Sequence, residues 1–119
     1  MATTPTFYMH QNDTPLLTRT LLDQNGNAVA IHGATVVMHM APVDDSTATI
    51  SQTMTVLDTG SANTGQVSYQ FVASDTSGLI LLGKSQWLNV EYKVTFSGGQ
   101  VQTFPAPGYD LFQVDAKLA

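Results

Sequence analysis

The stretch Gln86-Trp87-Leu88-Asn89-Val90-Glu91-Tyr92-Lys93-Val94-Thr95-Phe96 decides the fold. Leu88, Val90, Tyr92, Val94 and Phe96 fall at every second position, with Trp87, Asn89, Glu91, Lys93 and Thr95 between them. On a helix this period would scatter the apolar groups around the axis, whereas on a strand it gathers them on one face. The β-branched and aromatic content favours the same conformation. The pattern predicts a strand with one wet face, and it sets Trp87 on the side opposite the apolar stripe.

The same reading extends outward in both directions. Gln66–Val72 alternates with Val67, Tyr69 and Phe71 inward, and Ala34–Met40 with Val36, Met38 and Met40 inward. Ala48–Leu57 places Ile50, Met54 and Val56 on one side, where Gln52 interrupts, so an edge, a bulge or a buried partner is expected at Gln52. Turn formers separate these segments: Asp23-Gln24-Asn25-Gly26-Asn27, the run from Asp58 to Gly65, and Ser97-Gly98-Gly99, which closes a hairpin onto Gln100–Phe104. Pro105 and Pro107 stop that strand, and Tyr109–Val114 makes a last short one. Phe7–Met9 and Leu16–Leu22 supply the first. With no convincing helix, the expectation is an all-β, immunoglobulin-like antiparallel β-sandwich of about seven to eight strands, formed as one domain over residues 1–119.

Composition narrows the function classes. Of 119 residues, 43% are hydrophobic and only 11% charged, so Ser, Thr, Asn and Gln supply most of the polarity. Four Lys plus Arg against nine Asp plus Glu give a net charge of −5, the wrong sign for a phosphate-binding surface, and nucleic acid is not an expected partner. There is no cysteine, which excludes a disulfide framework and a thiolate metal site. The start Met-Ala-Thr-Thr-Pro-Thr-Phe-Tyr-Met-His lacks a basic region followed by an apolar core, and the longest aliphatic run, Leu79–Leu82, is far too short to span a bilayer. A protein retained without secretion and without a membrane partner is expected.

Motifs that carry chemistry are weak. Gly78-Leu79-Ile80-Leu81-Leu82-Gly83-Lys84-Ser85 matches the nucleotide-binding P-loop letter for letter, but that loop must open a helix whose N-terminus holds the phosphate, and here a strand follows. His10, His32 and His39 have no common spacing for a metal, and His39 is expected to face solvent or an interface. Asp44-Asp45 and the Asp58–Asn63 loop lack calcium-loop spacing and read as solvated turns, where water keeps the carboxylates ordinary. No Gly-x-Ser-x-Gly elbow or acid pair is present. Asn12-Asp13-Thr14 fits a glycosylation sequon, which carries meaning only in a secreted chain. No catalytic residue, metal ligand or cofactor site is therefore expected.

One surface feature stands out. Leu79, Ile80, Leu81 and Leu82, bounded by Gly78 and Gly83 and followed by Trp87, form a candidate protein interface; a buried strand would explain the run equally well.

Asn12-Asp13-Thr14, Leu21-Leu22-Asp23-Gln24-Asn25-Gly26, Gly33-Ala34-Thr35-Val36-Val37-Met38, Thr64-Gly65-Gln66-Val67-Ser68-Tyr69 and Asp75-Thr76 form an ordered series. It continues through Glu91-Tyr92-Lys93-Val94-Thr95-Phe96, Gly99, Thr103-Phe104-Pro105 and Gly108-Tyr109. In this order and over nearly the whole chain, the sequence resembles the N-terminal domain of phage baseplate upper proteins. The resemblance implies an immunoglobulin-like virion domain without catalytic residues, which docks onto a tail baseplate and carries host-recognition proteins. It also implies assembly in the host cytoplasm, homo-oligomerisation, and tail or capsid proteins as partners. Two alternatives remain: a capsid decoration protein, and a carbohydrate-binding module using Trp87, Tyr8 or Tyr109 as stacking platforms.

Overall fold

A computed structural model describes residues 7–43, 50–77, 85–105 and 108–116. Nine strands and one short helical turn make up the regular structure among them: β1 (Phe7–His10), β2 (Leu16–Thr20), β3 (Thr35–Pro42), β4 (Ile50–Thr53), β5 (Thr55–Val56), β6 (Gln66–Gln70), α1 (Ser74–Ser77), β7 (Ser85–Thr95), β8 (Val101–Phe104) and β9 (Asp110–Asp115).

The strands divide into two sheets that pack as a sandwich. The larger runs β1-β9-β7-β3-β4, with β8 also paired to β7; the smaller runs β2-β6-β5. β2, β5 and β6 thus separate from the other six strands, and the two groupings correspond to the B-E-D and C-F-G strands of an immunoglobulin-like sandwich. β7 is the spine. Its first half, Ser85–Val90, pairs with β9, its second, Tyr92–Thr95, with β8, and its opposite edge pairs with β3 from Thr35↔Thr95 to Pro42↔Leu88.

The alternation in β7 is realised as expected: Leu88, Val90, Tyr92 and Val94 are fully buried, and Phe96 packs against the core just beyond the strand. Val36, Met38 and Met40 of β3 lie beside them in the same sheet, paired with Val94, Tyr92 and Val90, and Val67 of β6, with Phe71 just beyond it, joins the same core from the opposite sheet. Burying each such side chain contributes about 1.5–3 kcal/mol relative to exposure, the main force holding the sheets face to face. Phe7 stacks on Phe71 with ring centroids 5.8 Å apart and tilts against Phe112 at 5.1 Å, so the first strand is pinned by aromatic contacts to both sheets.

Three expectations are corrected. The sandwich is not wholly antiparallel: β1 runs parallel to β9, from Phe7↔Phe112 to His10↔Asp115. The strands number nine among the described residues, because Ala48–Leu57 is not one strand. Ile50–Thr53 pairs with β3 in the larger sheet, Met54 donates its N–H to the Val36 carbonyl at 2.8 Å, and Thr55–Val56 crosses to β6 in the smaller. This is the bend by which a strand turns the corner of a sandwich. Gln52 sits on the edge strand and also has a buried partner, Asp75, whose Oδ1 accepts from its amide at 3.0 Å. Finally, Ser74–Ser77 forms one helical turn, with Thr76 fully buried.

Candidate binding face

The buried acids are the natural place to look for chemistry, and each is committed to the fold. Asp110, on β9, accepts from Arg19 Nε at 2.6 Å, Arg19 Nη2 at 2.8 Å and Tyr92 Oη at 2.8 Å. Arg19 belongs to β2, so this cluster ties the two sheets where a cystine would otherwise do so. The hydrogen bond to Asp110 raises the Arg19 pKa, and burial, then the Asp110 charge, pushes the Tyr92 hydroxyl well above its ordinary value. Tyr92 therefore stays a neutral donor, unsuited to proton transfer near neutral pH. The small cavity beside it, about 160 Å³, is lined by Arg19, Leu21, Tyr92 and Phe104 among others.

Asp58 corrects the expectation of a solvated turn. It is 4% exposed, and its carboxylate accepts the N–H groups of Ile31 at 2.9 Å, Gly65 at 3.1 Å and Gly60 at 2.8 Å. Those donors, Ile31 first, hold its pKa below the ordinary value, with the nearby His32 adding to the effect. The bond to Gly60, two residues on, is an Asx turn, and the Asp-Thr-Gly sequence directly after Val56-Leu57 was the available signal for it. Asp75 is likewise buried, accepting from Gln52, from Tyr69 Oη at 2.7 Å and from the Val72 N–H at 3.0 Å. Asp44 and Asp45 lie outside the described residues.

The histidines do not converge. His10 is exposed on β1, His32 reaches the Asp58 carbonyl with Nδ1 at 3.0 Å, and His39 faces outward from β3 with Nδ1 2.8 Å from Ser51 Oγ. Among the described residues no three His, Cys, Asp or Glu side chains are grouped to hold a metal ion. No helix among them is long and apolar enough to cross a membrane.

What remains is surface. Of the sequence-derived interface residues, Leu79, Ile80, Leu81 and Leu82 lie outside the described residues, as does most of the P-loop-like segment; its last residue, Ser85, begins β7. Trp87 is described, and stands 37% exposed on the outer face of the larger sheet. In the same row lie Gln113 of β9 and Tyr8 of β1, which is 58% exposed, and on the other side Val43 donates its N–H to the Trp87 carbonyl at 3.0 Å. The next rows carry Leu111, Asn89 and Ala41, then Glu91, His39 and Ser51. Tyr109, also exposed, precedes β9 and lies beyond this row.

The sheet edges complete the picture. The path of the larger sheet ends at β4, and no strand among the described residues pairs with its outer side. Its sequence, Ile50-Ser51-Gln52-Thr53, contains no charge and no proline, the devices that commonly block strand addition. Models of known protein families match no part of the chain, and no curated protein is significantly similar to it.

Proposed function

We propose that this chain is a non-enzymatic virion structural protein, a component of a phage tail or baseplate that docks through its sheet edges and helps to anchor host-recognition proteins. The observation that carries the reading is the β4 edge: a strand without charge or proline, and with no strand among the described residues on its outer side, is a template for main-chain hydrogen bonding to another strand. The internal polar groups support docking over turnover, because Asp58, Asp75 and Asp110 each accept three hydrogen bonds that hold the fold itself. The sandwich architecture agrees with what the resemblance to baseplate upper protein N-terminal domains implies.

In this reading the partner is a second copy of the chain or another virion protein, in a particle assembled in the host cytoplasm. Gold-labelled antibody electron microscopy on particles tests the location. Label at the tail tip is expected; label across the head would transfer the protein to the capsid as a decoration protein, and unlabelled particles would overturn the virion reading.

A further inference from the structure

Tyr8, Gln113 and Trp87 form one row across β1, β9 and β7, with their side chains on the outer face of the sheet. The two aromatic residues are separated by two strand spacings, about 10 Å. Side chains of this size ordinarily turn inward, yet both are left in contact with solvent on a face that carries Asn89, Glu91 and Lys93 as well as Leu111, Ala41 and His39. Between them the Gln113 amide is steadied by donating to Asp115 Oδ1 at 2.8 Å. Beside Tyr8 opens a cleft of about 460 Å³ whose walls include His10, Asp13 and Thr14, with no Lys or Arg among its described lining.

The geometry points to a binding site for a neutral oligosaccharide across this row. The C–H face of a pyranose stacks on an aromatic ring, while its hydroxyls need closely spaced uncharged donors and acceptors. Two rings set this far apart fall under separate units of an extended saccharide, and the amide between them meets the intervening hydroxyls. A protein anchor would instead require a continuous desolvated pocket, and these rings are divided by a polar group. An anionic ligand is disfavoured by the net charge of −5 and by a cleft whose described lining holds no Lys or Arg. The site does not depend on the virion reading, since it lies on a different part of the larger sheet from the β4 edge.

Trp87 is the sole tryptophan, so its emission reports on this row alone. The full chain is titrated with maltohexaose, cellohexaose, laminarihexaose and chitohexaose to about 10 mM, a range that captures weak single-site binding. At least one saccharide is expected to change the emission saturably. Tyr8→Ala should weaken that binding about tenfold, whereas Val101→Ala, on β8, should leave it unchanged. No response to any of the four, or equal affinity in Tyr8→Ala, would overturn the proposal. Emission that changes only with protein concentration would overturn it too, and would mark the row as a protein contact.

Discussion

Arg19 of one sheet grips Asp110 of the other through two parallel hydrogen bonds, Nε to Oδ2 at 2.6 Å and Nη2 to Oδ1 at 2.8 Å. Such a fork matches the planes of guanidinium and carboxylate, and it is the geometry in which an ion pair resists exchange with water. Here it also receives the hydroxyl of fully buried Tyr92.

Asp110→Ala should be among the most damaging single substitutions, since it strands a half-buried guanidinium and a buried hydroxyl together. A loss of about 3 kcal/mol is expected, read as a fall of about 10 °C in Tm by calorimetry. Tyr92→Phe keeps the packing and removes one hydrogen bond, so its cost should be only about 1 kcal/mol.

Asp58 gives the fold a defined acid sensitivity. Its pKa is lower in the folded chain than in the unfolded one, so its contribution is fully present above the unfolded value of about 3.9 and is lost as pH falls through the folded value. Urea unfolding between pH 7 and pH 2 should therefore show a steeper acid loss for the wild type than for Asp58→Ala. Parallel curves would assign the acid response to other carboxylates.

Gly65 and Gly26 separate two reasons for a glycine. Both have positive φ, 77° and 83°, but a Cβ on Gly65 would lie 3.0 Å from the Leu21 carbonyl and 3.2 Å from that of Val29, whereas one on Gly26 would meet nothing within 4 Å. Gly65→Ala should cost about 2 kcal/mol or more, and Gly26→Ala about 1 kcal/mol, the strain of the left-handed backbone alone. Chemical denaturation of both variants distinguishes these outcomes.

The sequence made the faces of the strands legible and left their partners hidden. Period-two patterning identified Leu88, Val90, Tyr92 and Val94 as inward, because a residue's face depends only on its neighbours along the chain. The parallel pairing of Phe7–His10 with Phe112–Asp115 joins opposite ends of the chain, and nothing local encodes it. The crossing at Met54 was hidden for a related reason: Ile50, Met54 and Val56 face one core from both sheets, so the alternation continues through the corner. A single turn such as Ser74–Ser77 is too short to display a helical period.

The candidate surface was legible only in pieces. Trp87 was visible as the large aromatic on the wet side of its strand, and Tyr8 as a candidate stacking platform, but their alignment through Gln113 requires the register of three strands. Asp58 reads as solvated because turn composition signals where the chain reverses, not whether the loop folds back over its own carboxylate, as it does here.

Sedimentation velocity over a wide concentration range, comparing the wild type with the Ser51→Lys/Thr53→Lys double variant, tests docking through β4 most directly. Both positions are exposed on the edge strand, so the added charges should oppose strand pairing while leaving Tm nearly unchanged. The expected result is a wild type whose sedimentation coefficient rises with concentration and a variant that stays monomeric. A wild type that remains monomeric throughout, or a variant that associates equally well, would contradict self-docking at this edge.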